Sequence, residues 1–70
     1  MYNYKYSVII TWSDVDMCYI GKVLELDGCV THGETVEELI NNVNEAIDAW
    51  IETANAYNME IPKPNNLSIA

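Results

Sequence analysis

Seventy residues carry eleven carboxylates, three lysines and no arginine, for a net charge of −8; that length allows one domain at most. Half of the residues are hydrophobic, too many for a disordered tail. A surface so short of cations lacks the electrostatic footprint of a nucleic-acid-binding protein, and no run approaches the ~20 apolar residues of a membrane span.

Residues 2–12 alternate. Tyr2, Tyr4, Tyr6, Val8, Ile10 and Trp12 point one way and Asn3, Lys5, Ser7 and Thr11 the other, with Ile9 the exception. A period of two predicts a half-buried strand. Ser13, Asp14, Val15 and Asp16 supply turn chemistry, because their short polar side chains bond to nearby backbone. A second strand is expected over 18–24, rich in aromatic and β-branched residues, with Gly21 marking a bulge or a close backbone approach. The short link makes the pair an antiparallel hairpin. Asp27-Gly28 is a turn signal, and 29–32 reads as a short third strand, also antiparallel.

Gly33 and Glu34 end the sheet. Thr35 is a good N-cap, and Glu38 three residues on completes a capping box. Val36, Leu39, Ile40, Val43, Ile47, Trp50, Ile51 and Ala54 recur at helical spacing, which predicts a helix over about 35–57. Its dipole favours Glu37 and Glu38 in the first turn. Asn58 is a candidate left-handed residue past its end, and Pro62 and Pro64 forbid continuation. Leu67 and Ile69 would place a short edge strand at 66–69. The fold class that follows is α+β: a three-stranded antiparallel sheet with one long helix packed on one face, a single domain over 1–70.

Catalytic chemistry is sparse. Asp14 and Asp16 lack the further oxygen ligands of a calcium loop and read as solvated turn residues. His32 has no second histidine, and Cys18 and Cys29 lack the close pairing of a zinc site. No nucleophile elbow or phosphate-binding loop appears. Catalytic residues, metal ligands and cofactors are therefore all assigned as none. Two cysteines make no disulfide framework, and the first residues have no basic patch followed by an apolar stretch, so the expected compartment is the cytoplasm. The acidic surface has two readings: solubility, or long-range attraction of a cationic partner. The aromatic side chains Tyr2, Tyr4, Tyr6, Trp12 and Tyr19 are either core or binding anchors.

Two stretches carry a resemblance. One runs from Tyr19 to Glu38 and contains the Leu26-Asp27-Gly28-Cys29 turn, Thr31, Gly33 and the Glu34-Thr35 helix cap. The other is Ile61-Pro62-Lys63-Pro64. In order and spacing they resemble the N-terminal domain of HicB antitoxins, over nearly the whole chain. The resemblance implies a partial ribonuclease-H-like fold and a non-enzymatic role: binding and occluding a small basic HicA-like toxin that cleaves mRNA. Many members add a C-terminal DNA-binding domain. This sequence stops where that domain would begin, so a repressor role is not expected. Asp14, Asp16, Glu25, Asp27, Glu34 and Glu37 are expected to meet lysines and arginines of the toxin. An orphan HicB-like protein-interaction domain is the alternative. A ribonuclease-H-like nuclease is a further one, although it needs carboxylates converging on metal ions. Self-association as a homodimer or larger homo-oligomer is expected, because the core is small and an exposed strand edge invites pairing.

Overall fold

Residues 1–65 are described by a computed structural model of the chain. Four elements follow in order: β1 (Val8–Ser13), β2 (Cys18–Val23), β3 (Val30–Gly33) and α1 (Val36–Ala56). The sheet runs β1-β2-β3 with both pairs antiparallel. This is the α+β arrangement that the two periodicities predict. The strand expected at 66–69 lies outside the described residues.

Register between β1 and β2 is unbroken from Val8↔Val23 to Ser13↔Cys18, so Gly21 marks no bulge. It marks a close approach instead: a Cβ there would lie 3.1 Å from the Leu39 and Val43 side chains. Gly33 is tighter still, since its Cβ would sit 2.6 Å from the Leu39 backbone nitrogen. The end of β3 and the first turn of α1 thus meet backbone to backbone. Turns use left-handed residues at Met17 (φ 53°) and Gly28 (φ 75°). Gly28 is free to adopt that angle, whereas Met17 does so at a steric cost.

The helix begins where its cap places it. Thr35 Oγ1 accepts the Glu38 N–H at 3.1 Å, and Asn58 (φ 55°) is the left-handed residue past the end. Leu39, Val43 and Ile47 project into one core with Tyr6, Val23, Leu26 and Cys29. Full burial of such aliphatic side chains contributes ~1.5–3 kcal/mol each.

One boundary differs from the sequence reading. Alternation starts at Tyr2, yet the first strand starts at Val8. Residues 1–6 form an arm bound to α1. Asn44 accepts the Asn3 N–H on Oδ1 at 2.9 Å and donates from Nδ2 to the Met1 carbonyl at 2.6 Å. The Tyr4 hydroxyl donates to the Asp48 carboxylate, and the Tyr6 hydroxyl donates to the Pro62 carbonyl at 2.7 Å. Tyr2 and Tyr4 therefore alternate to pack against the core from the arm, without sheet partners.

Cover over the sheet is uneven. The helix packs on β3 and β2, and from β1 Val8 packs against the core. On β1, Ile9, Ile10 and Trp12 keep 47%, 40% and 46% of their surface exposed.

Candidate protein-interaction surface

Two open grooves flank the core. One of about 540 Å³ is lined by Asp16, Met17, Ile20, His32, Glu34 and Glu38 among others. The second, about 580 Å³, lies between the loop after β2 and the later turns of α1. Ala49, Trp50, Met59 and Pro62 supply apolar lining there, and Glu25, Asp27 and Glu60 supply carboxylates. The Trp50 indole N–H donates to the Asp27 carbonyl at 2.9 Å, fastening the helix to the loop.

The six acids expected to meet a partner are not one cluster. Asp16 and Glu34 line the first groove, where Glu38 joins them. Glu25 and Asp27 line the second with Glu60. Asp14 sits in the β1–β2 turn and accepts the Trp12 indole N–H at 2.9 Å. Glu37 is exposed in the first turn of α1 and lines neither groove.

Glu25 is committed internally. Its carboxylate accepts the Ser7 N–H at 2.9 and 3.1 Å, the Ser7 hydroxyl at 3.3 Å and the Asn65 N–H at 2.7 Å. Desolvation would raise its pKa. The N–H groups of Asn65 and Ser7, with the Ser7 hydroxyl, outweigh it and hold the carboxyl below the usual carboxylate range. Asp16 Oδ2 likewise accepts the Ser13 hydroxyl at 3.1 Å, while the Ser13 oxygen accepts the Asp16 N–H at 3.2 Å. A reversed turn charge therefore disturbs the hairpin as well as the surface.

Chemically, an acid-rimmed apolar groove suits a cationic side chain. Its aliphatic stem can lie along Trp50 and Met59 while its head reaches the carboxylates. An arginine gains further from the indole face. Among the described residues no three His, Cys, Asp or Glu side chains gather closely enough to hold a metal ion. None of the described helices is long and apolar enough to cross a membrane. Cys18 and Cys29 are buried free thiols. Burial pushes the Cys29 thiol upward, opposite to the depressed pKa that a nucleophile needs.

In sequence Trp50 reads as part of the core stripe and Glu38 as part of the cap and of the acidic outer face of the helix, while Met59 and Glu60 carry no signal. Trp50, Met59 and Glu60 come together only once the chain after α1 folds back beside the loop following β2, whereas Glu38 lines the first groove.

Comparison with known proteins gives a consistent lineage. The UPF0150 protein Ta0767 of Thermoplasma acidophilum is 46% identical over 61 residues, covering 87% of each chain. The UPF0150 protein ssr1765 of Synechocystis is 37% identical over 60 residues, 86% of this chain and 75% of that one. A UPF0150 protein of Archaeoglobus fulgidus is 38% identical over 48 residues, 69% of this chain and 68% of the other. The profile of the HicB_like antitoxin of bacterial toxin-antitoxin systems matches residues 6–70, from the last tyrosine of the arm onward, and the chain belongs to that family.

Proposed function

We propose that this chain is the antitoxin of a type II toxin-antitoxin pair, binding a small basic HicA-like mRNA-cleaving toxin and blocking its active site. Family membership supports the antitoxin role. The observation that carries the cationic partner is the second groove, where Asp27 and Glu60 rim an apolar lining that includes Trp50 and Met59. The first groove, with Asp16, Glu34 and Glu38, offers a second contact of the same kind, with Asp14 and Glu37 near its periphery as long-range attractors. Glu25 acts from beneath, holding the segments that frame the second groove. Occlusion requires no catalysis by this chain, so the reading is non-enzymatic. It places the protein in the cytoplasm, where free thiols such as Cys18 and Cys29 stay reduced, and it includes self-association.

Titration calorimetry with the product of any small basic open reading frame beside this gene tests the reading. Expected are a stoichiometric complex, loss of the toxin's ribonuclease activity, and slower association as salt rises. No heat and no inhibition would sink it.

A further inference from the structure

Trp50 has its one hydrogen-bonding group satisfied inside the molecule. The indole N–H donates to the Asp27 main-chain carbonyl at 2.9 Å, and the ring packs partly against the core. That bond fixes the ring and keeps the exposed Asp27 next to it. Met59, Glu60 and Pro62 line the same groove, and their segment is pinned at three points. The Met59 N–H donates to the Ala54 carbonyl at 2.8 Å. The Tyr6 hydroxyl donates to the Pro62 carbonyl at 2.7 Å, and the Asn65 N–H donates to the Glu25 carboxylate at 2.7 Å. The groove is therefore built before any guest arrives.

The β3 edge beside this groove is guarded. The bond from the Val23 N–H to the Cys29 carbonyl, 2.9 Å, sets the phase of the β2–β3 ladder, so Val30 and His32 turn their backbone groups outward. Each has one such group engaged by its own chain. The Val30 N–H donates to the Gly28 carbonyl at 3.1 Å, and Asn42 Nδ2 on α1 donates to the His32 carbonyl at 2.7 Å. A strand added here would break both bonds, whereas a side chain entering the groove breaks neither. The groove has no lysine among its lining residues. Glu25 is occupied by Ser7 and Asn65, which leaves Asp27 and Glu60 to meet a cation from outside.

We propose that this groove is an arginine pocket. The guanidinium of a basic protein lies over the Trp50 ring and donates to the Asp27 and Glu60 carboxylates, with its stem along Met59. The proposal rests on the reading of this groove as a partner surface and names the side chain that it selects. Arginine and lysine carry the same charge, so the acid rim alone does not separate them. A guanidinium is planar, stacks on an aromatic face and presents a fork of donors to a carboxylate. An ammonium is a compact, strongly hydrated point charge and gains less from either feature. The first groove is the internal comparison. Asp16, Glu34 and Glu38 rim it, and no tryptophan or tyrosine is among its lining residues. It attracts either cation and separates them little.

The test uses the full chain and a pair of peptides of equal charge, hexa-arginine and hexa-lysine, titrated at low salt and followed by heteronuclear NMR. Hexa-arginine should bind about threefold or more tighter than hexa-lysine. It should shift the Trp50 indole resonance and the Met59 and Glu60 amides. Asp27→Asn removes the carboxylate and keeps the carbonyl that holds the indole, so it should lower the arginine preference while the indole N–H stays protected. Trp50→Leu should bring the two affinities to within about twofold of each other, with hexa-lysine binding little changed. If Trp50→Leu unfolds the chain, Asp27→Asn and Glu60→Gln decide alone. Equal affinities of the parent for the two peptides overturn the proposal. So does a preference that survives these substitutions, or one whose shifts fall on His32 and Glu34 in the first groove. No toxin enters these measurements. An arginine preference seated at Trp50, beside a failure to inhibit the neighbouring ribonuclease, would remove the antitoxin reading and keep the pocket; inhibition without the preference would do the reverse.

Discussion

The Glu25 carboxylate binds the backbone N–H of Ser7 with both oxygens, at 2.9 and 3.1 Å, tying the entry of β1 to the loop that leaves β2. The same group holds the Asn65 N–H. Because its pKa is lowered on folding, its contribution is present above the ordinary glutamate pKa and lost as pH falls through the folded value. Glu25→Gln should therefore lower stability at neutral pH by about 1 kcal/mol, the scale of a partly solvated charge-assisted hydrogen bond. The difference from the parent should vanish on acidification below the folded pKa. Thermal melts of both proteins from neutral to strongly acidic pH check this; a gap that persists into acid would contradict it.

Asn44 is the buried polar residue of the helix, 8% exposed, and both ends of its amide hold the arm. Asn44→Leu removes two hydrogen bonds and strands the Asn3 N–H and the Met1 carbonyl. Loss of about 1–3 kcal/mol is expected, with faster exchange of the Asn3 amide and unchanged exchange in β2. Equal loosening of arm and sheet would show that the arm is part of the global fold.

Gly33→Ala forces a Cβ into the backbone of the first helical turn. The neighbour is main chain and cannot swing aside, so a cost of at least about 1–3 kcal/mol is expected from overpacking. Leu39→Ala, at a fully buried position, should cost about 2–5 kcal/mol through its cavity. Urea titration ranks both; a neutral Gly33→Ala would mean that helix and sheet are less tightly joined than described.

Charge reversal at Asp27 and Glu60 should slow association with the basic partner, since both residues are exposed and rim charges act mainly on the encounter. Trp50→Ala should instead speed dissociation, by about tenfold or more if the indole anchors a cation. Stopped-flow binding separates the two effects. Identical behaviour of all three variants would point to another surface.

The fold was legible wherever local chemistry decides it. Thr35 and Glu38 announced the helix start, Asn58 its end and Asp27-Gly28 the turn. The helical stripe named Leu39, Val43 and Ile47, and all three are buried. What failed was the start of β1. Tyr2 and Tyr4 satisfy the same alternation whether they pair with a strand or lie along a helix, and only the remote Asn44 and Asp48 distinguish the two. The site was less legible for the same reason. Glu25 reads in sequence as one more surface acid, whereas its bonds to Ser7 and Asn65 span 18 and 40 residues. Asp48 reads as a repulsive neighbour of Glu52, whereas it accepts the Tyr4 hydroxyl. The groove beside Trp50 exists only after the segment bearing Met59 and Glu60 returns, which periodicity does not report.

The Asn42 amide at the His32 carbonyl has a bearing on aggregation. A sheet that was adhesive on both flanks would add molecules without end, as amyloid ladders do. Here the β3 flank is stoppered by a side chain from the helix, Asn42 Nδ2 donating to the His32 carbonyl at 2.7 Å. Removing that stopper with Asn42→Ala would expose the β3 flank to strand addition and open a route to filaments.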